Sequence, residues 1–582
     1  MTEHFTGPPP VRLELNRVLD ALSSGMPADA IESELVDMKE EPRRRGGRKE
    51  VLPATTTNEA AASYLAGELA CLANSGGGAV VLGVADDGTV IGTQLDVDWL
   101  RHRIYELTDR KLTVTAAALP LRGERVLEIV APAALEPIRF RGKIRHRVGK
   151  NCVEIDAATW AGTHQIRMGY DWSAQPSTRT LADVRAAALE VARDFLHASG
   201  EAAAADLAAA SDQDLVRRLN LCDGSGALTN AGALLLCSGP AVIDYRRRKV
   251  AGGDAVTRIH RSGRSVLEQF AQVIDAVRLH NPRVELDVRW VRGQTYRIPD
   301  LAAREAVVNG ITHRDWQSPT ATEIEHVGDR YTVTSPGGFI GGVGPDNIIT
   351  HPSVPRYPRL AQTMAKLRIA ERQGIGVDRM HRDMLALGLP APVIEQLPGP
   401  SVRTTLLGGE PDHAWLELRA RMWPANACDD LDFLLVLDAT ARRGWISGPT
   451  AAAAMQRSRA ETTDVIERLT QVTVEDDGKQ LFVEVDGDPH ADKDPYDAAW
   501  QLSNDVRARL DASRRRLGPS RDQLLAGYAR ERGRISSTEA ASLLGSSANT
   551  ARTALDDLER DGVLASGRAQ RRGRGFFYVP AS

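Results

Sequence analysis

Cysteine is scarce in this sequence of 582 residues: it has five, with no CxxC pair and no cysteine–histidine cluster. That spacing argues against a disulfide framework and against a structural zinc site, and it is typical of a reducing compartment. No apolar run is long enough to span a bilayer, and the opening stretch MTEHFTGPPP lacks the apolar core of a signal peptide. We therefore expect a cytoplasmic protein without a membrane partner.

A strong charge of one sign is also missing, since the net charge is −4. The whole chain is therefore not a polyelectrolyte partner for nucleic acid, and any such role must come from local basic patches. Hydrophobic residues make up 42% of the chain, which is ordinary for a globular protein. The length exceeds what one hydrophobic core usually serves, so several domains are expected.

The pattern of helix and strand signals predicts an α/β multidomain chain. The stretch GGGAVVLGVADDGTVIG at 76–92 has the turn residues and apolar alternation of a β-hairpin. Two late blocks each read as helices followed by a short hairpin, with the linker HADKDP (490–495) between them. The predicted segments are a leader at 1–30, an α/β domain at 31–165, a helical connector at 166–254, a second α/β domain at 255–410, and helical modules at 411–489 and 496–582.

Glu305 and Asn309 stand one helical turn apart in the stretch REAVVNGITHRDW (304–316). Residues four apart share a helix face, so both side chains point the same way. A carboxylate can take a proton from water, and an amide oxygen can hold a hard cation such as Mg²⁺. The alternative is an exposed polar edge on an amphipathic helix.

Glycine-rich loops follow this helix in a fixed order. SPGGFIGGVG (335–344) comes after a strand, and RQGIGVDRM (372–380) puts glycines ahead of a helix. Such loops let backbone N–H groups approach phosphate, and a helix N-terminus favours an anion. In this order, together with PRYPRLAQTMAKL (355–367), the motifs resemble the GHKL ATPase fold in the branch of RecG-related transcriptional regulators.

The GHKL resemblance implies an α/β sandwich that binds ATP with Mg²⁺. Glu305 would be the general base for ATP hydrolysis, and Asn309 would be the Mg²⁺ ligand. Many GHKL enzymes carry an aspartate that contacts adenine on the strand before the glycine box, where this chain has Thr334 and Ser335. Nucleotide binding is therefore expected more than fast turnover. The further nucleotide-binding residues that the resemblance implies are Asp315, Gly337, Gly338, Gly374, Gly376 and Arg379.

An acidic and basic stretch near the N-terminus, ESELVDMKEEPRRRGGRK (32–49), precedes AGELACLANSGGGAVVLGVADDG (66–88). With IRHRVGKN (144–151), these segments resemble the Schlafen AlbA-type domain, which implies contact with nucleic acid. In the nuclease members of the Schlafen group, acidic residues form a metal-dependent site, which here would be Glu32, Asp37 and Asp86.

The acidic residues have a simpler interpretation too, as a helix start and a turn. Aspartate stands at 37 where the family pattern has glutamate, which shortens that arm by one methylene. The arginine cluster that follows is either a nucleic-acid contact or a solvated loop, and phosphate contacts there would be sensitive to salt. Its candidate residues are Arg43, Arg44 and Arg45.

The block at 518–580 reads as helix, helix, turn, helix and a basic hairpin, ASGRAQRRGRGFFYVP, which is the winged helix-turn-helix pattern. The helix from Ala548 to Arg560 would enter the major groove of double-stranded DNA, and the wing would contact phosphate or the minor groove. The block at 443–485 resembles a second winged helix whose acidic hairpin favours packing or dimerisation. The candidate DNA contacts are Asn549, Thr550, Arg552, Thr553, Arg568, Arg571, Arg572 and Arg574.

Three hypotheses of function follow from these motifs. The first is an ATP-responsive DNA-binding transcriptional regulator, with weak ATPase activity at most. The second is a Schlafen-like, metal-dependent nuclease acting on RNA or DNA and gated by the ATPase-like domain, with a possible role in defence. The third is a scaffold with a degenerate nucleotide site. A homodimer or higher homo-oligomer is expected because winged-helix proteins often bind paired half-sites.

Overall fold

The computed structural model describes most of the chain. The residues that it describes are 9–23, 31–33, 35–44, 51–85, 87–148, 151–167, 170–288, 291–370, 375–474, 478–489, 494–514, 519–567 and 576–581. Contacts divide the chain into two units. The first holds Met1–Trp172 with Gly337–Gly344 and Val354–Pro358, and the second holds Ser173–Pro336, Pro345–Ser353 and Arg359–Ser582.

The N-terminal unit is built on a four-stranded mixed sheet in the order β1-β2-β4-β3. Its strands are β1 (Val36–Lys39), β2 (Gly78–Leu82), β3 (Thr115–Leu121) and β4 (Glu124–Ala131), and its helices are α1 (Pro9–Ser23), α2 (Glu59–Asn74) and α3 (Val97–Leu107). Strand β1 runs parallel to β2, and the other pairs are antiparallel. Helix α2 is alanine- and leucine-rich and mostly buried, so it forms a large part of the core.

A small second sheet lies beside helix α2. It comprises β5 (Arg139–Phe140), β6 (Lys143–Val148) and β7 (Asn151–Ile155), and helix α4 (Ala157–Arg167) follows. A disulfide joins Cys71 of α2 to Cys152 of β7, with an S–S distance of 2.09 Å. The expectation that the cysteines form no disulfide is therefore wrong for this pair, because the fold brings together two residues that are 81 positions apart.

The second unit begins with a helical region and continues into a six-stranded sheet in the order β11-β10-β14-β15-β17-β16. The helical region contains β8 (Pro176–Thr180), α5 (Ala186–Ala198), α6 (Ala202–Ala208), α7 (Asp212–Arg218), β9 (Ala227–Thr229) and α8 (Asn230–Leu236). The sheet domain contains β10 (Ile243–Arg248), β11 (Ala255–Ile259), α9 (Val266–His280), the hairpin β12 (Arg283–Val288) and β13 (Val291–Tyr296), α10 (Asp300–Thr312), β14 (Thr322–Val327), β15 (Arg330–Pro336), α11 (Pro358–Lys366), α12 (Gly376–Ala386), β16 (Val393–Leu397) and β17 (Ser401–Leu407).

Two C-terminal modules that share the order helix, short strand, helix, helix, strand complete the second unit. The first contains α13 (His413–Arg419), β18 (Met422–Trp423), α14 (Leu431–Arg443), β19 (Ile446–Ser447), α15 (Gly448–Met455), α16 (Arg459–Thr470), β20 (Thr473–Val474), β21 (Lys479–Gln480), β22 (Phe482–Glu484) and β23 (Ala499–Leu502). Helix α17 (Asn504–Arg514) leads to the second, which contains α18 (Arg521–Arg532), β24 (Ile535–Ser536), α19 (Ser537–Leu544), α20 (Ala548–Arg560), β25 (Leu564–Ser566) and β26 (Phe577–Pro580).

The two C-terminal modules share a hydrophobic core. Trp445 of the first module stacks edge-on against Tyr528 of the second, with ring centroids 4.6 Å apart. The buried carboxylate of Asp488 accepts hydrogen bonds from Arg532 at 2.6 and 2.9 Å. Strand β23 follows the predicted linker at 490–495 and pairs with β19 and β22, so it returns to the sheet of the first module.

Among the helices that the structure describes, none is both long and apolar enough to cross a membrane. The mixed helix and strand composition confirms the prediction of an α/β multidomain chain.

Candidate nucleotide and nucleic-acid sites

Helix α10 carries Glu305 and Asn309 and packs tightly on the central sheet. A Cβ atom on Gly310 would lie 2.7 Å from Cγ1 of Val333, so only glycine permits this approach of helix to strand. The side chain of Glu305 is 2% exposed, whereas Asn309 is half-buried. The tight packing therefore holds both side chains on one face of the helix, as their spacing predicts.

The N-terminus of helix α12 lies directly against this face. A Cβ atom on Gly376, the first residue of α12, would be 2.7 Å from Oε2 of Glu305 and 3.7 Å from Nδ2 of Asn309. The guanidinium of Arg379, one turn further, is 3.6 Å from Oε1 of Glu305, and so is that of Arg304. An acid, an amide, two guanidinium groups and the positive end of a helix therefore meet at one place.

This set of groups fits a Mg²⁺–nucleotide complex. The amide oxygen of Asn309 would suit a hard cation that keeps phosphate oxygens and water as its other ligands, and the guanidinium groups beside Glu305 would suit the phosphates. The glycine at 376 leaves the backbone bare where a side chain would collide with Glu305. In the part of the chain that the structure describes, no cluster of three or more His, Cys, Asp or Glu residues forms a separate metal site.

Ser335 and Thr334 are engaged in the framework of this domain. Ser335 is buried and donates a hydrogen bond of 2.6 Å to the carbonyl of Gly310, which ties strand β15 to helix α10. Thr334 accepts a hydrogen bond of 3.4 Å from Arg403 on the neighbouring strand. The Ser335 hydroxyl is therefore engaged in the contact between helix α10 and strand β15. It also lacks the negative charge of the aspartate that contacts adenine in many GHKL enzymes.

The segment after helix α10 is held by an arginine that the sequence interpretation did not single out. Arg314 is 2% exposed and donates to the carbonyls of Val242 and Thr320 at 2.8 and 2.7 Å. Asp315, a predicted nucleotide contact, donates its backbone N–H to Pro336 at 2.7 Å and accepts from the N–H of Gln317 at 2.9 Å. Both residues thus fasten the end of the helix, and the burial of Arg314 is a property that sequence periodicity does not reveal.

The predicted glycine residues of the nucleotide site fall in different places. Gly337 and Gly338 belong to the segment Gly337–Gly344, which packs with the N-terminal unit. Gly374 lies outside the described residues. Gly376 alone among these glycines is described together with Glu305 and Asn309 in the second unit.

A buried charge cluster lies at the end of strand β1. Asp37 is 2% exposed at its side chain; Oδ2 accepts from Arg147 at 2.9 Å, and Oδ1 accepts from Lys39 at 2.8 Å. Burial raises the pKa of Asp37, but Arg147 and Lys39 outweigh burial, so this pKa lies below its ordinary value. Removing one partner of such a buried pair typically costs about 3–5 kcal/mol.

Two further acids surround this pair. Glu32 accepts a hydrogen bond of 3.1 Å from the N–H of Met38, and its pKa is raised by burial and by the charge of Asp37. Burial and Asp37 also raise the pKa of Glu68, which projects from helix α2. Sequence motifs did not identify Glu68. The one feature that could have indicated it is that a charged residue stands in an otherwise alanine- and leucine-rich helix. Asp86, the third predicted acid, lies outside the described residues.

The predicted arginine contacts near the N-terminus differ in exposure. Arg43 is exposed in a turn with a positive φ of 68°. Arg44 is 8% exposed, donates to the carbonyl of Leu52 and lies 3.9 Å from Glu41. Burial of Arg44 does not suit a phosphate contact, because the guanidinium is already bonded within the domain. Arg45 lies outside the described residues.

Helix α20 presents all four of its predicted DNA contacts to solvent. Its core face is formed by Ala551, Ala554, Leu555 and Leu558. Asn549, Thr550, Arg552 and Thr553 are exposed. Ser547 caps the helix by accepting from the N–H of Thr550 at 3.2 Å. The four arginines of the predicted wing, Arg568, Arg571, Arg572 and Arg574, lie outside the described residues.

In the first C-terminal module, two carboxylates neutralise the positive charge at the start of the equivalent helix, α16. Arg459, the first residue of α16, pairs with Asp494 at 2.7 Å and with Asp497 at 3.2 Å. Its guanidinium also lies 4.5 Å from the centre of the Tyr496 ring. The carboxylates that hold Arg459 would repel phosphate, so this helix start is a poor DNA contact.

The turn between α15 and α16 is bonded to the domain that holds Glu305. Gln456 donates to the carbonyl of Pro345 and accepts from the N–H of Ile349, both at 2.8 Å. Its neighbour Arg457 pairs with Asp432 at 3.3 Å and acts electrostatically on Asp378 of helix α12, whose pKa burial raises. Helix α14 of the first module also packs against α12, so the module contacts the helix that begins at Gly376.

Comparisons with known proteins agree with two of these regions. The family described as "Schlafen, AlbA_2" matches residues 32–156, and the family described as "Putative ATP-dependent DNA helicase recG C-terminal" matches residues 320–406. Both resemblances inferred from the motifs are thereby confirmed. The chain combines a domain family associated with nucleic acid and an ATPase-like domain. The second match begins after helix α10 and therefore does not include Glu305 or Asn309.

One solved structure is similar over nearly the whole length. The crystal structure of the DIP2311 protein from Corynebacterium diphtheriae is 31% identical in sequence, with a TM-score of 0.59. The alignment covers 98% of this chain and 99% of that chain. No curated protein matches this chain.

Proposed function

This chain belongs to the family of the DIP2311 protein from Corynebacterium diphtheriae, and we propose that it is an ATP-responsive DNA-binding protein of the type that regulates transcription. ATP with Mg²⁺ would be the signal, and double-stranded DNA would be the target. We further propose that the protein acts in the cytoplasm. We also propose that it acts as a homodimer, because winged-helix DNA-binding proteins commonly bind paired half-sites.

The meeting of Gly376 with Glu305 and Asn309 is the observation that carries this proposal. Asn309 would hold the magnesium of the bound nucleotide, and Glu305 would orient water for weak hydrolysis at most. Bound ATP supplies negative charge, which Arg379 and the N-terminus of α12 are suited to hold. Because Gly376 begins helix α12, a change in the packing of Gly376 against Glu305 acts on the whole helix.

A continuous set of contacts leads from helix α12 to the second C-terminal module. Asp378 lies near Arg457 of the first module. In turn, Glu531 of the second module accepts from Arg443 at 2.7 Å, from Ser447 at 2.6 Å and from Thr450 at 3.0 Å. This continuity supports a role for the first module in transmitting a change at α12 to the second module. The positive charge at the start of its own helix α16 is neutralised by carboxylates, whereas helix α20 of the second module is exposed and would contact the DNA.

We expect Mg²⁺ with a non-hydrolysable ATP analogue to change the affinity of the full chain for duplex DNA by about 5- to 150-fold, the range of typical allosteric coupling. The measurement is a gel shift against genomic fragments with and without the nucleotide. Arg457→Ala should reduce this difference while leaving nucleotide binding intact, because it removes the positive charge of the first module that acts on Asp378 of α12.

Arg468→Ala is the matched control for that experiment. Arg468 lies on helix α16 of the same module, where it pairs with Asp464 of that helix and with Asp430, the residue before helix α14. The control should retain the full response to nucleotide. Duplex affinity that is identical with and without nucleotide in the wild type would defeat the proposal of an ATP response.

A metal-dependent nuclease is the second candidate function, because Glu32, Asp37 and Glu68 surround Lys39. The contacts of Asp37 speak against it. Both carboxylate oxygens of Asp37 already bond to cationic side chains, so a metal ion would have to displace Arg147 or Lys39. We therefore favour the DNA-binding regulator over the metal-dependent nuclease.

We expect no Mn²⁺-dependent cleavage of labelled RNA, tRNA or duplex DNA by the purified chain. Gel analysis of the products over a time course provides the measurement, with EDTA as the metal-free control. Cleavage that requires Mn²⁺ and disappears in Glu32→Gln would identify the nuclease instead, because that variant keeps the size of the side chain and removes only its charge.

A further inference from the structure

We propose that one face of the N-terminal unit binds single-stranded nucleic acid, with the ring of Tyr64 as a stacking platform and Arg139 and Arg141 as phosphate contacts. The inference rests on the proposed function, since it specifies the form of nucleic acid that the AlbA-type domain takes. It concerns residues that no sequence motif singled out.

The hairpin of β5 and β6 supplies the positive charge of this face. It carries Arg139 in β5, Arg141 in the turn, and Lys143 and Arg145 in β6. Lys143 is paired with Glu154 at 2.6 Å. The hydrogen bonds of Arg139 and Arg141 instead go to neutral oxygens, the carbonyl of Gly142 at 3.2 Å and the hydroxyl of Ser63 at 2.9 Å. Both arginines are exposed and their charge is not cancelled by these bonds.

Helix α2 carries an exposed aromatic ring next in the chain to the residue that Arg141 bonds. The Phe140 ring lies over Gly67, where an added Cβ atom would approach it to 3.1 Å. Together with the bond from Arg141 to Ser63, this contact fixes the hairpin across the helix. Tyr64 adjoins Ser63 in the chain and is 41% exposed. Its neighbourhood extends to Lys39, whose pKa Tyr64 helps to raise.

The combination of an exposed ring and nearby arginines favours a single strand. In a duplex the base faces are stacked on one another, whereas a single strand offers them to an aromatic side chain while its phosphates meet the basic groups. The acids Glu32, Asp37 and Glu68 also lie near Lys39 and would repel phosphate. The phosphates should therefore follow the arginines of the hairpin, with a base over Tyr64.

Fluorescence anisotropy of the full chain tests this surface with three labelled probes: a 20-nucleotide oligo(dT), a 20-nucleotide oligo(U) and a 20-base-pair duplex. Tyr64→Ala should weaken binding of the single strands by about tenfold and leave duplex binding unchanged. Arg139→Ala with Arg141→Ala should lower the salt slope for single strands by about 1.4, or about 0.7 per phosphate contact. A loss in Tyr64→Ala that is seen with only one of the two oligonucleotides also supports the surface, and it shows whether the surface prefers oligo(dT) or oligo(U).

Tyr64→Phe keeps the ring and should bind like the wild type. Tyr105→Ala removes a tyrosine of similar exposure from helix α3 of the same unit and should also have no effect. Thermal unfolding of each variant checks that the fold is intact. Single-strand affinity that is unchanged in both Tyr64→Ala and the double arginine variant would overturn the inference, and so would a Tyr64→Ala loss confined to the duplex.

Failure of this surface is distinguishable from failure of the proposed function. The response of duplex binding to ATP depends on Asn309 and on the C-terminal modules, and it is measured on the same samples. A chain that loses single-strand binding in Tyr64→Ala but shows no response to ATP would support this surface and defeat the ATP proposal.

Discussion

Replacement of Asn309 by alanine is expected to abolish Mg²⁺-dependent ATP binding, with a loss of affinity of about 100-fold, which is typical when a ligand to a bound charge is removed. The fold should survive, because Asn309 is only half-buried and alanine is the better helix former. Isothermal titration calorimetry with MgATP measures the loss, and thermal unfolding without nucleotide checks the fold. The wild type in EDTA should show the same loss as the variant.

Two controls separate the magnesium contact from a general disturbance of the cleft. Asn309→Asp keeps an oxygen ligand and should retain most of the affinity, whereas Glu305→Gln should retain binding and lose any hydrolysis. A methyl group at Gly376 would collide with Glu305, while the same change at Gly527 has open space, so Gly376→Ala should block binding and Gly527→Ala should not. MgATP affinity in Asn309→Ala equal to that of the wild type would refute the assignment.

The double variant Arg571→Ala with Arg572→Ala is expected to weaken duplex DNA binding by about 30-fold near 0.15 M salt. This size follows from two lost phosphate contacts, each contributing about 0.9 to the slope of log affinity against log salt, so the slope should fall by about 1.8. Both arginines lie in the basic stretch RAQRRGR that follows the exposed helix α20. Affinity measured across a salt series tests both numbers together.

Arg459→Ala is the matched control for the wing. Arg459 begins the equivalent helix of the first module, but Asp494 and Asp497 already hold it. Its removal should leave both duplex affinity and the salt slope unchanged. A salt slope that is the same in the double wing variant as in the wild type would exclude these arginines from the interface.

Local patterns were predictable where chemistry depends on near neighbours. The spacing of Glu305 and Asn309 set them on one helix face, because helical geometry determines which residues are adjacent. The run at 76–92 shows the limit of that reasoning. Its hairpin pattern predicted two paired strands, yet Gly78–Leu82 pairs with Val36–Lys39 and Glu124–Ala131. The two halves of the run meet in a short turn, where Val84 bridges Val90 and the N–H of Ile91 donates to the carbonyl of Gly83. Strand pairing depends on partners far away in sequence.

The cysteines and the acidic cluster show the same limit. The number and spacing of the cysteines argued against a disulfide framework, but the sheet β5-β6-β7 lies against helix α2 and brings Cys152 to Cys71. Arg147 donates to Asp37 although 110 positions separate them in the sequence. Glu68 lies near the same pair, on helix α2, where no sequence motif marks it as a site residue. No spacing rule connects residues so far apart.

The amino-acid sequence alone determined the kinds of domain in this chain and the candidate residues of the nucleotide helix, because motifs of adjacent residues encode turns, helix faces and glycine approaches directly. Only the tertiary structure decided that the start of helix α12 presses on Glu305, that Asp37 is already held by Arg147 and Lys39, and that the first C-terminal module contacts α12 while helix α20 stays exposed. These arrangements depend on how separate elements pack, and packing is set by long-range contacts between surfaces that the local sequence does not specify.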